Sequence, residues 1–314
     1  SSANDLIKLS NDVNGGNLYT GTTVLLDKDI DFTGLSDKFA PIGSVWKTCF
    51  RGVFDGQGHT VSNLKVTNST YGYYGLFGFS WGTNIRNVIM DSSCTISGSF
   101  FDSSAKRDGD VGYVEVGGII GECEAFRSSC KVESCINMAK VELTAVTPAS
   151  TDGYIGGVVG NSHASGYGST VTNCVNYGSV TFSGEVDHLN IGGVAGSIAG
   201  KDDARGVLQN CLNYGTIVHS GKSRTATNFG GVLGLNGNGN EEIINVVNLG
   251  SFVISQKKDD RVGALVGYFW KTTIAHSYWA DSAKYEHCGF VKAGTLSECA
   301  NFSSATFALD ATVT

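Results

Sequence analysis

Among the residues able to do chemistry, three alternating aspartates stand out first: Asp27, Asp29 and Asp31. Alternate side chains of an extended strand share a face. Their carboxylates would then point one way and suit calcium, a hard cation that prefers oxygen ligands. The plainer expectation is that one caps a turn while the others stay solvated. Asp55 and His59 have the types of an acid/base pair, but they lie in Phe54-Asp55-Gly56-Gln57-Gly58-His59, whose Asp-Gly and Gln-Gly steps are turn chemistry. The six histidines are scattered, none at ligand spacing from another. No convincing nucleophile elbow, Walker loop, His-Glu-x-x-His helix or dinucleotide fingerprint is present. The sequence therefore assigns no catalytic residue, and the chain is expected not to be an enzyme.

The nine cysteines follow no zinc spacing. Cys123 and Cys130, and Cys288 and Cys299, are candidate loop disulfides, with buried thiols acting as small hydrophobes as the alternative. Cys135, Cys174 and Cys211 are different, because they occupy one position of a repeat.

That repeat organises the whole chain. A small-apolar-apolar-Gly unit recurs at Gly75–Gly78, Gly118–Gly121, Gly157–Gly160, Gly193–Gly196, Gly231–Gly234 and Ala264–Gly267, with spacings of 43, 39, 36, 38 and 33 residues. A second unit follows each time: Ser134-Cys135-Ile136-Asn137, Asn173-Cys174-Val175-Asn176, Asn210-Cys211-Leu212-Asn213 and Asn245-Val246-Val247-Asn248, with weaker versions at Asn87-Val88-Ile89-Met90 and His276-Ser277-Tyr278-Trp279. A third apolar stretch, such as Ser179-Val180-Thr181-Phe182, completes the repeat. Gly pairs would cost a helix about 1 kcal/mol per residue. Short Val- and Ile-rich runs bounded by Gly and Asn read instead as strands. Three strands per coil predict an all-β chain, a right-handed parallel β-helix rising about 4.8 Å per coil.

Stacking then explains the columns. Cys135, Cys174, Cys211 and Val246 predict a buried ladder, since Val replaces Cys. Asn137, Asn176, Asn213 and Asn248 precede turn glycines and predict a structural ladder of amides, with Asn suited to left-handed backbone. Ser2-x-x-Asp5 ahead of Leu6, Leu9 and Val13 predicts a capping helix over the first coil. The expected organisation is one domain: an N-terminal cap over 1–16, coils over 17–294 and a C-terminal cap over 295–314.

Composition narrows the partners. The formal net charge is −7, and no basic run interrupts it. Nucleic acid is disfavoured because it needs a basic footprint. No apolar run approaches the 18 residues of a membrane span. The 43 glycines and two prolines suit many tight turns rather than linkers. Ser1–Asp5 is no signal peptide, so a removed signal or a longer parent chain is expected.

The Gly75-Leu76-Phe77-Gly78 unit, the later Gly-Gly-x-x-Gly units and their Asn-Cys-x-Asn partners resemble the GLUG-motif repeats of bacterial surface proteins. The leader Asp29-Ile30-Asp31, Pro41-Ile42-Gly43 and Phe50–Val61 is similar to that family's as well. The resemblance covers nearly the whole chain. It implies a secreted or cell-surface, adhesin-like module, and brings no shared active site. Some relatives are proteases that carry the repeats as a non-catalytic part.

The variable loops after each Gly-x-x-Gly strand would stack in a row. Phe79, Trp81, Tyr167, Phe269 and Trp270 are the expected ligand-binding residues there, able to stack on sugars or contact protein. A second row begins at 98–114 and continues through 147–153 and 184–189. The expected function is an extracellular, monomeric binding module for a glycan or a host or neighbouring surface protein, without a cofactor. A polysaccharide lyase or hydrolase on the same scaffold, and a passive stalk, are the alternatives. A groove lined by several ionisable residues would favour the enzyme.

Overall fold

The computed structural model describes residues 1–69, 71–99, 113–201, 203–223, 225, 227–255, 260–280 and 285–302. The chain is a parallel β-helix. Every ladder between its strands is parallel, and the strands join strands one coil away rather than their chain neighbours. The shortest sheet shows the winding most simply. Its nine strands lie in sequence order from Ile30–Asp31 to Ala300–Phe302.

Two kinds of corner bend each coil. At the Gly-Gly corners, backbones approach too closely for a side chain: a Cβ on Gly156 would lie 2.0 Å from the Val159 carbonyl oxygen. At the other corner one residue per coil adopts left-handed backbone, with φ between 49° and 56° at Asn63, Asn87, Ser134, Asn173, Asn210, Asn245, His276 and Glu298. The left-handed asparagine is thus the first of each Asn-Cys-x-Asn unit. The second asparagine, expected from its place before the turn glycine to hold that backbone, instead uses its amide in a ladder.

The second asparagines form a buried ladder. Asn137 Nδ2 donates to Asn176 Oδ1, Asn176 to Asn213, and Asn213 to Asn248, each at 2.9 Å. Asn137, Asn176 and Asn213 also close their own turns, as when Asn176 donates to the Gly178 carbonyl at 2.9 Å and accepts from the Gly178 N–H at 3.2 Å. Asn248 accepts likewise from the Gly250 N–H but donates to the Ala264 carbonyl. The Gly-Gly corners make room for this ladder, since a Cβ on Gly157 would fall 2.2 Å from Asn176 Cγ. Beside it Cys135, Cys174, Cys211 and Val246 are buried in the main core, as expected.

A fourth strand per coil was not anticipated. Cys130–Glu133, Ser169–Thr172, Gly206–Gln209 and Glu241–Ile244 pair in series just ahead of the left-handed corner. The second loop row also differs from expectation. Residues 147–153 and 184–189 lie within the long strands Lys140–Gly156 and Val180–Gly192, whose register shifts near Ala149 absorb the extra length. Of 98–114, residues 100–112 lie outside the described residues.

The N-terminal helix, Ala3–Asn14, forms as expected. Ser2 Oγ accepts from the Asp5 N–H at 3.3 Å. Leu6, Leu9 and Val13 then share the face that closes the core of the first coil. Ser10 Oγ fixes its position by donating to the Ala40 carbonyl at 2.6 Å. At the far end, Cys288–Ser297 and Ala300–Phe302 extend the ladders of the preceding coil. The coils therefore continue past 294, and residues 303–314 of the expected C-terminal cap lie outside the described residues. Among the described residues no helix is long and apolar enough to cross a membrane.

Candidate binding groove

Strand alternation places two residues of each repeat on the outside of the Gly-Gly corner: the one two before the small-apolar-apolar-Gly unit's preceding glycine, and the one just after its closing glycine. In the second repeat these are Glu115 and Glu122. Stacking turns them into two rails. One runs Glu115, Tyr154, Asn190, Asn228, Arg261. The other runs Glu122, Asn161, Ser197, Leu235, Tyr268, Phe290. Between them lies a cavity of about 430 Å³ walled by Glu115, Glu122, Tyr154 and Asn161. A second, of about 320 Å³, is walled by Asp152, His188, Asn228 and Arg261. Tyr154 and Leu235 belong to both, so the two form one groove along the solenoid.

The groove changes character along its length. At its N-terminal part Glu115 and Glu122 are buried, at 2% and 1% exposure. Asn161 Nδ2 donates to Glu115 Oε1 at 3.2 Å. Burial, and then the negative charge of Asp152 and Glu115, push the Tyr154 phenol far up, so it stays a proton donor at neutral pH. The Tyr113 and Tyr154 rings lie 6.0 Å apart, and His188 Nδ1 meets Asp152 Oδ1 at 2.8 Å. Four coils on, or about 19 Å at sheet spacing, the wall is cationic. Arg261 Nη1 donates to Asn228 Oδ1 at 3.2 Å. Its guanidinium sits 4.7 Å from the Tyr268 ring and 4.9 Å from Phe290, two rings stacked at 5.3 Å.

The expected binding residues fare unevenly. Phe79 is only 1% exposed, packed against Tyr73 and Cys49 under the 41–51 segment. Phe269 is fully buried in the main core. Neither is exposed: alternation turns Phe269 inward and sends Tyr268 and Trp270 out, and Phe79 faces outward but is covered. Trp81 is partly buried, held between the Phe126 ring at 5.4 Å and the Arg51 guanidinium at 4.3 Å. Tyr167 is 51% exposed, on a loop whose backbone bonds Ala125. Trp270 lies under the Lys292 ammonium at 4.5 Å, three coils from Tyr167. Trp81 and Phe126 form an aromatic pair, with the exposed Tyr167 on the neighbouring loop and Trp270 three coils further on.

The Cys123–Cys130 disulfide is formed and ties the base of the loop that carries Phe126. Cys288 and Cys299 are both free thiols. The three aspartates have separate partners: Asp27 the Ser1 amino group, Asp29 the Thr60 N–H and His59, Asp31 Thr33 and Asn63. Among the described residues no three His, Cys, Asp or Glu side chains converge for a metal. His59 bonds Asp29, while Asp55 accepts from Arg86, Asn87 and the Gln57 N–H, each at 2.9 Å. The Asp55–His59 pair is therefore turn architecture.

This fold is the class the molecule defines: a parallel β-helix with a polar external groove. Comparison with known proteins bears on the fold alone. No protein-family model and no curated protein matches the sequence. Among solved structures, it is similar to a putative immunoglobulin A1 protease from Bacteroides ovatus, with 17% identity and a TM-score of 0.51 over 88% of this chain and 82% of that one. At that identity the likeness is one of fold.

Proposed function

We propose that this protein is an extracellular, adhesin-like binding module whose groove takes a linear glycan. The observation that carries this reading is the pair of rails: hydrogen-bonding and aromatic side chains repeat at each coil. Their spacing of about 4.8 Å is comparable to the advance of one sugar ring in an extended chain. The formed disulfide supports an oxidising compartment, as does the resemblance to GLUG-repeat surface proteins. The module acts as a monomer, without nucleic acid or membrane insertion. The name of the Bacteroides protein would bring a peptide-cleaving role, which a likeness of fold alone does not carry.

The Glu115–Glu122 pair favours a second reading. Two carboxyls beside a protonated phenol in one cavity are the parts of glycoside hydrolysis, one as acid and one as base toward water. A glycan array run beside a reducing-sugar assay separates the readings. Binding without product, weakened in Tyr154→Ala, supports the module. Product release that Glu122→Gln abolishes overturns it in favour of the hydrolase. No binding to any glycan sinks both.

A further inference from the structure

We infer that the C-terminal part of the groove is an anion subsite in which Arg261 selects glycans carrying a carboxylate, so that the ligand is an acidic polysaccharide. The inference rests on the glycan reading of the groove and names its substrate class.

Arg261 is built in rather than waving from the surface. It lies two residues before Gly263, the glycine that precedes the last small-apolar-apolar-Gly unit, on the strand Arg261–Gly263, so its backbone is fixed by pairing to Asn228. Two aromatic faces support one side of the guanidinium, Tyr268 at 4.7 Å and Phe290 at 4.9 Å. The Asn228 side-chain Oδ1 accepts from one amino group, Nη1, at 3.2 Å. Asn228 is fixed in turn, because its Nδ2 donates to Asn190 Oδ1 at 2.6 Å. Among the described residues this relay engages one of the five N–H donors of the planar fork while orienting it, and the fork matches a carboxylate in both shape and charge.

The surroundings fit the same ligand. Among the described residues Arg261 forms no ion pair, although several carboxylates lie near. Asp260, next in sequence, accepts from the Thr227 N–H at 3.0 Å and is buried. Asp152, on the same cavity wall, is engaged by His188 at 2.8 Å. Glu115 and Glu122 belong to the other cavity, several coils away. The charge facing the second cavity beyond the Asp152–His188 pair is thus cationic. In a chain of net charge −7, an aromatic-backed guanidinium in a concave polar site is placed against the general field and so can discriminate. Asn190 and Asn228 supply the neutral contacts a sugar's hydroxyls need.

The test uses oligogalacturonides in two forms, the free acid and its methyl ester, which differ in the carboxylate charge and one methyl group per residue. Wild-type protein is expected to bind the free acid roughly 10- to 100-fold more tightly, the range of a charge-assisted hydrogen bond. Arg261→Gln should bring both forms to equal affinity, with Arg261→Lys in between. Thermal melting checks that the variants fold; Tyr268→Leu, which removes the aromatic support but keeps the charge, should weaken the preference without abolishing it. Equal binding of acid and ester by wild type, or a preference that survives in Arg261→Gln, overturns the subsite while leaving the groove reading intact. Binding of neither form, with no other glycan bound on the array, overturns both.

Discussion

Asn176→Ala removes the middle rung of the buried amide ladder, and the structure says what that should cost. Asn176 Nδ2 donates to Asn213 Oδ1 and the Gly178 carbonyl; its Oδ1 accepts from Asn137 Nδ2 and the Gly178 N–H. Four hydrogen bonds disappear in a fully buried site. At a net contribution of about 1 kcal/mol each, the loss is roughly 4 kcal/mol, and orphaned partners push it upward. That is a large part of a typical total stability of about 5–15 kcal/mol. Urea denaturation followed by circular dichroism measures it, with attention to intermediates, because solenoid repeats need not unfold together. Asn210→Gly is the control. Its amide rung is exposed and its backbone sits at φ 54°, where glycine is at ease, so it should stay within about 0.5 kcal/mol of wild type. If Asn176→Ala also costs less than about 1 kcal/mol, the ladder is ornament and the reasoning fails.

Other outcomes follow from the same geometry. Gly157→Ala should destabilise comparably, since its Cβ would overlap Asn176 Cγ and the Gly193 carbonyl; a melting temperature equal to wild type would contradict the close approach. Burial pushes the Cys94 thiol up to about 11 and Cys288 up to about 12, and Cys135 and Cys211 are also raised by burial. Native protein should therefore titrate at one fast thiol, the half-exposed Cys299, and at seven after unfolding without reductant. Hydrogen bonds hold Asp29 (from the Thr60 N–H, then His59) and Asp31 (from Asn63, then Thr33) below the usual carboxylate range. At Asp55 burial acts upward, but Asn87, the Gln57 N–H and Arg86 outweigh it. A depressed folded pKa gives stability that is complete above the unfolded value and lost as pH falls through the folded one, so melting should be flat from neutrality and drop below about pH 4. Opening Cys123–Cys130 by Cys130→Ser should cost roughly 2 kcal/mol and raise exchange of amides at 124–129, without altering protection of Val175–Asn176.

The sequence carried the fold well because a coil repeats what must be uniform. Gly-Gly corners, the Cys column and the second asparagines are forced alike in successive coils by close approach and burial, so residue type itself repeats. The groove was less legible for the opposite reason. Glu115, Tyr154, Asn190, Asn228 and Arg261 hold equivalent positions with four residue types in one slot, three of them ionisable, and only the adjacent Asn190 and Asn228 repeat. Position relative to the glycines would have found them, had alternation been carried outward from each corner. The same alternation separates Tyr268 from Phe269, where aromatic character alone suggested the wrong one. Phe79 does stand on the outer side, and is lost to solvent only because Gly43–Arg51 crosses over it, a long-range contact that no local pattern announces. The fourth strand of each coil was hidden by the irregular loops ahead of it.

The amide ladder has one more consequence. Its rungs join residues 39, 37 and 35 positions apart in the chain, yet the bonds are all 2.9 Å long. Loop length is therefore invisible to the ladder: residues can be added or removed at the outer corners while each new coil is brought back into phase by the same two-atom handshake. A scaffold of this kind lets its surface diversify quickly and independently, coil by coil, and offers a natural place to graft foreign segments.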